Sequence, residues 1–366
     1  MIHVFINNKP AALAFDTGAG VPAIFQSAAQ RLGLQISNPP PDIGVAPAHG
    51  IYRQTESCKV ATQLGEFETR FYVLEGQSAA VADGLFPWRW LTGRVLRINA
   101  FLLEAGGGCL ELLSSLPPEV KSWTRLNVRT NEGVLTLEIP GSAPSTSIVL
   151  DTGFRGGVGL PPTRWREWRL SHTNEPTTLE LGVFPALGSF IAEEMWAKNL
   201  TLGSFVLTDV PIMEVDVGKV FGDSAAEAIL GIAALKRLEI VIDEPNSVVY
   251  LRPKTTPALP YKHNRLGAVF TKQVTRVAPN SPASEVGIHD GDQLLDHHIE
   301  DPKQLTIAET LSKTNNPFWM RAAGSKLDLT LMRGKTIFKT NVVLRTILGP
   351  SSASLPQPRP PERRLP

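Results

Sequence analysis

Two cysteines in 366 residues, Cys58 and Cys109, are too few for a disulfide framework, and they read as buried thiols. Charge of one sign is equally scarce. Lys and Arg total 36 against 35 Asp and Glu, a net +1, so the chain lacks the electrostatic footprint expected for nucleic acid or an anionic membrane surface. Long hydrophobic runs are missing too. No apolar stretch reaches the roughly 18 to 20 residues a membrane-spanning helix needs, so no membrane span is expected. The N-terminus has no basic segment followed by an apolar core, so no secretion signal is expected within these residues. Met1-Ile2-His3-Val4-Phe5-Ile6 already reads as strand, which leaves the compartment open, periplasmic or secreted included. What remains, 42% hydrophobic and 19% charged residues, suffices for two or three ordinary cores.

What is present is a tripeptide used twice. Asp16-Thr17-Gly18 and Asp151-Thr152-Gly153 each close a short apolar run, Ala12-Leu13-Ala14-Phe15 and Ser147-Ile148-Val149-Leu150. A strand ending in an acid, a small hydroxyl residue and a glycine can deliver a carboxylate into a cleft while the backbone turns sharply behind it. More than the tripeptide repeats. Gly44-Val45-Ala46-Pro47-Ala48-His49-Gly50 returns as Gly182-Val183-Phe184-Pro185-Ala186-Leu187-Gly188, and Leu64-Gly65 returns as Leu202-Gly203. The segment from Phe71 to Glu75 matches Val210 to Glu214, and Asp83-Gly84-Leu85-Phe86-Pro87 stands where the second copy has Glu227-Ala228-Ile229-Leu230-Gly231. Loop insertions account for the drift in spacing.

Between these landmarks the chain reads as short strands broken by Gly, Pro and Asn. Helices are expected from Pro22 to Leu34, from Pro161 to Leu170 and near Ser224 to Leu238, followed by a hairpin around Glu244-Pro245-Asn246-Ser247. The paired motifs, each followed by an apolar pair and a helix, resemble the retropepsin-like and pepsin-like aspartic peptidases over about residues 1 to 255. The resemblance implies a mainly β fold with two pseudo-symmetric acid-protease β-barrel lobes, 1–112 and 113–255. It further implies catalytic aspartates, Asp16 and Asp151, meeting at the lobe interface. Thr17, Gly18, Thr152 and Gly153 would support the dyad, and Gly44, Gly50, Gly182 and Gly188 would mark flap hairpins over a bound polypeptide. Because one chain encodes both lobes, a monomer is expected.

Two carboxylates in contact cannot both ionise cheaply, so such a pair holds one shared proton, the dyad behaviour described for this family in general. One acid would take a proton from a trapped water while the other protonates the oxyanion, with no metal or cofactor. Two residues past the glycines, where the family places a polar support, this chain has Gly20 and Arg155. The first departure is expected to raise the cost of ionising Asp16, and the second to favour charge on Asp151. Pro87 also stands where the second copy keeps Gly231, which alters the first lobe's helix entry.

From about residue 262 the pattern changes. Val274 to Ile288 runs from strand into a short helix, with Ser281 as N-cap, Pro282 at the first helical position and Gly287 as the stop. Asp290-Gly291-Asp292-Gln293-Leu294-Leu295, a helical stretch near Leu305 to Leu311, and strands at Leu327 to Met332 and Thr340 to Leu344 follow. The segment 262–347 resembles a PDZ domain of the bacterial protease-associated kind. The resemblance implies binding of a peptide or chain terminus along a sheet edge, its carboxylate at the amides of Leu266-Gly267-Ala268. The tail, 348–366, is Pro-rich and expected to be disordered. His297 and His298 read as solvent-facing rather than as metal ligands, and the glycines from Gly153 to Gly159 lack the third glycine of a dinucleotide fingerprint. A catalytically silent peptide-binding adaptor is the alternative. A serine peptidase is disfavoured, since no Gly-x-Ser-x-Gly element accompanies a His and Asp set.

Overall fold

The computed structural model describes residues 1–37, 53–74, 82–91, 93–99, 110–131, 133–139, 146–184, 188–203, 205–221, 226–254, 261–270, 275–295 and 318–350. Gly44, Gly50, Cys109, His297, His298, the stretch 305–311 and the tail beyond 350 lie outside them.

The fold is mainly β, and the duplication is visible strand by strand. In the first lobe, Ile2–Ile6 pairs antiparallel with Lys9–Asp16, which pairs parallel with Gly84–Pro87. That strand is antiparallel to Ala23–Phe25, which is parallel to Tyr72–Leu74. In the second lobe the same alternation runs through Val134–Ile139, Thr146–Leu150, Ala226–Leu230, Val158–Leu160 and Phe205–Glu214. Phe15 lies opposite Phe86 and Leu150 opposite Leu230, the correspondence that the spacing of the two copies implies. The sequence match places Tyr72 on Pro211, whereas strand pairing sets Tyr72 beside Ala23 and Ile212 beside Val158, one residue further on. Each lobe also carries an acid-arginine tie at equivalent places. Asp83 pairs with Arg31 at 2.7 Å in one, and Glu227 pairs with Arg164 in the other.

The lobes are not cleanly separated at residue 112. Val95–Ile98 and Leu110–Leu113, counted with the first lobe on sequence grounds, pair with each other, and Val95–Ile98 also pairs with Leu238–Asp243. They thereby extend the second, twelve-stranded sheet. One apolar core runs through both lobes, with Leu13, Phe86, Leu96, Leu126, Leu137, Ile148 and Ile240 in a single cluster.

Two helix expectations need correction. The stretch from Pro22 begins as strand Ala23–Phe25, and the helix is only Gln26–Leu32, closed by Gly33 at φ 67. The stretch from Ser224 is strand Ala226–Leu230, with a single turn of helix, Ile232–Leu235, after it. In both cases a central position of the sheet outweighs a helical pattern of apolar residues, because fully buried strands show no alternation. The helix Pro162–Ser171 and the hairpin Leu238–Asp243 with Val248–Pro253 match expectation.

In the C-terminal segment Ala268–Phe270 pairs with Thr275–Val277, and Lys326–Arg333 pairs with Gln293–Leu294 and Thr336–Val343 around a small apolar core of its own. Ser281 caps Pro282–Glu285 through a capping box with Ser284, and Gly287 takes φ 78. Asp292, buried, accepts two bonds from Arg333 at 2.7 and 2.8 Å. Leu348, assigned to the tail by composition, is buried, and its amide and that of Ile347 donate to His263 Nε2 at 3.2 and 3.0 Å. The packed module therefore continues past residue 347.

His263 must be neutral to accept those two amides. Burial, foremost, lowers its pKa from 6.5 to about 4. A depressed histidine lets the unfolded chain take the proton first, so its contribution is full above pH 6.5 and is lost as pH falls toward 4. Relative to a His263→Gln variant, which keeps an acceptor without titrating, the protein should lose on the order of 3 kcal/mol across that window in denaturant unfolding. Parallel pH profiles for the two proteins would overturn the assignment.

Candidate active site

Each aspartate sits at the end of a buried strand at the centre of its lobe, and the turn after it aims amides back at the carboxylate. Asp16 Oδ1 accepts from Gly18 and Ala19 at 2.8 and 3.1 Å. Asp151 Oδ1 accepts from Gly153 and Phe154 at 2.7 and 3.0 Å. The two loops then grip one another. Thr17 Oγ1 donates to Leu150 O at 2.7 Å and accepts from the Thr152 amide at 3.0 Å. Thr152 Oγ1 donates to Phe15 O at 3.0 Å and accepts from the Thr17 amide at 3.1 Å. Every bond has its mate across a local pseudo-twofold axis.

This grip brings the carboxyl groups together. They share a hydrogen bond and lie over each other's glycines. A Cβ on Gly18 would stand 2.6 Å from Asp151 Cγ, and one on Gly153 would stand 2.5 Å from Asp16 Oδ2. Only glycine leaves room for the opposite acid. Asp16 is 9% and Asp151 5% exposed, and the electrostatics follow from that. Burial pushes both carboxyls above the usual 3.8, Asp151 well above, where the neighbouring Asp16 charge adds to the rise. The amides of the two turns oppose it.

At position 20 no polar side chain takes up the support, and position 155 differs from expectation. No side chain at Gly20 supports Asp16; instead its backbone is in close contact with Gly133, where a Cβ would fall 2.5 Å from Gly20 O. Trp88 Nε1 donates to Gly133 O at 2.7 Å and fixes that approach. Arg155 does not act on Asp151 as expected. It is exposed, and its charge bears on Glu180, whose carboxyl stands at about 7 because burial raises it more than Arg155 lowers it. In the second lobe the Gly231 amide donates to Gly157 O at 2.8 Å, a bond that Pro87, having no amide hydrogen, cannot reproduce.

Gly182 and Gly188 lie on the hairpin of Thr177–Phe184 and Gly188–Leu202, opposite Phe190 and Phe184 respectively. Leu266 and Gly267 amides both donate to the buried Asn264 Oδ1, at 3.0 and 2.9 Å, and Ala268 pairs with Val277. A terminal carboxylate at these amides would have to displace Asn264. Sequence reasoning missed Glu180, Glu194 and Tyr261. Glu194 is fully buried and Glu180 and Tyr261 partly so, but a lone acid or tyrosine in such a strand-and-loop pattern reads as facing water. Among the described residues no group of three or more His, Cys, Asp or Glu is placed to hold a metal ion.

No family model and no curated protein matches the chain. Among solved structures, an aspartic proteinase from Irpex lacteus aligns with 69% of this chain and 93% of its own, at 12% identity and a TM-score of 0.40.

Proposed function

We propose that this chain is an aspartic-type endopeptidase that works as a monomer, with Asp16 and Asp151 as its catalytic pair. A single observation carries the reading: two buried carboxyls, each held by two amides of its own turn, meet over reciprocal glycines and share a hydrogen bond. Burial and mutual repulsion keep one proton on the pair at pH values where isolated aspartates have lost theirs. The ionised member takes a proton from a water held between them, and that oxygen attacks the carbonyl carbon of a polypeptide. The protonated member gives its proton to the carbonyl oxygen; as the C–N bond breaks, the proton gained from water passes to the leaving amine and a gem-diol hydroxyl returns a proton to the pair, leaving the carboxylic acid. Polypeptide is the substrate class, and no cofactor enters.

The module after residue 261 is read as PDZ-type, recognising an extended peptide or chain terminus by sheet addition. Its capped helix, positive-φ Gly287 and paired strands support that reading. Hydrolysis of an unfolded protein should persist in EDTA, stop on addition of a statine-containing peptide, and follow a bell-shaped pH profile. Insensitivity to the statine peptide would reject the proposal.

A further inference from the structure

The second hairpin is held from two directions. Successive residues of a strand face opposite sides of a sheet; here the Phe190 side meets the apolar cluster of Phe154 and the module's entry segment, and the Ile191 side meets the module itself. Phe190 joins the apolar cluster that includes Phe154, whose amide holds Asp151. Its neighbour Ile191, with Leu179 and Leu181, packs against Val269 and Ala278 of the C-terminal module. Thr177–Phe184 is the outermost strand of the twelve-stranded sheet, and the module's entry segment wraps around it. Thr178 Oγ1 donates to Asn264 O at 2.7 Å, and Tyr261 OH donates to Glu194 Oε1. Thr178 and Glu194 are a directly opposed pair on one face of the hairpin.

Glu194 is fully buried, and its Oε2 has no hydrogen-bond partner among the described residues. Burial first, then the Glu180 charge, raises its pKa well above 4.5, and burial likewise raises Tyr261. Both shifts favour the neutral forms. A buried acid with one satisfied oxygen is costly to keep in a strand for stability alone.

We propose that Tyr261 is a positioning residue for the cleft: through Glu194 it fixes the second hairpin, so that the C-terminal module sets how that hairpin stands against the Asp151 turn. This rests on the aspartic-peptidase reading for its catalytic consequence but not for its structural one. Polypeptide bound by the module would be sensed at the cleft through the Ile191 and Phe190 faces of one strand.

The test uses the full chain. In Tyr261→Phe, amide hydrogen exchange within 188–202 should quicken by roughly tenfold while the strands carrying the aspartates keep their protection. KM for a peptide substrate should rise about fivefold with kcat within about twofold. Thr178→Val, which removes the Asn264 contact and leaves the Tyr261–Glu194 bond in place, should move both readouts the same way. If Tyr261→Phe fails to fold, this second variant decides alone. Unchanged exchange in both variants overturns the proposal, and so does faster exchange with an unchanged KM. If the wild-type protein shows no cleavage, the peptidase reading fails, yet the exchange result still decides whether the module holds the hairpin.

Discussion

Replacing Asp151 with asparagine should lower the rate of polypeptide cleavage by about 10³-fold or more, because the amide can neither hold nor pass the shared proton. The same substitution should raise the melting temperature at neutral pH. The sign follows from the raised pKa of the buried carboxyl. Below pH 3.8 the folded and unfolded chains both carry the proton. Above it the unfolded chain releases its proton while the fold retains it, so the wild-type loses stability as pH rises. An asparagine has no such cost, so the variant's advantage should grow from about pH 3.8 upward and vanish below it. Activity equal to wild type, or a melting gap that widens toward acid, would remove Asp151 from the role assigned to it.

Gly18→Ala should be nearly as damaging although it touches neither acid covalently. The new Cβ would stand 2.6 Å from Asp151 Cγ, so the carboxyl must retreat or the Thr17 and Thr152 grip must open. Displacing a reacting group by about 1 Å costs on the order of 10²-fold in rate, and the strain costs about 1 to 3 kcal/mol. Both losses should be seen together, in kcat and in unfolding by denaturant. A variant that melts lower but cleaves at the wild-type rate would show that the opposite carboxyl does not depend on the open glycine.

The small residues of the two motifs carry as much of the geometry as the acids do. Thr17 is fully buried, and its hydroxyl both donates to one strand end and accepts from the opposite turn. The handshake is self-complementary, as expected when two copies of one unit pack about a twofold axis. Asymmetry enters around it. Pro87 lacks the hydrogen bond made by Gly231, and the second hairpin alone, among the described residues, is seen packed against a further module. The copies thus share the central alternation of strands and differ where they meet the rest of the chain.

Sequence alone determined the duplication, the two acids, the mainly β character and the capped helix after Ser281. Those features are written in local terms, as a tripeptide after an apolar run, the spacing between copies, and a Ser-Pro-Ala start to a helix. The structure decided what depends on distant partners. Ala226–Leu230 is a strand because it lies between two others, not because of its own residues. Arg155 bears on Glu180 rather than Asp151, since a side chain's partner is chosen by whichever strand folds beside it. The pairing of Asp16 with Asp151 across 135 positions, and of Glu194 with Tyr261 across 67, belongs to the same class. Burial and mutual proximity shift a carboxyl's proton affinity, and neither quantity exists until the chain has closed on itself.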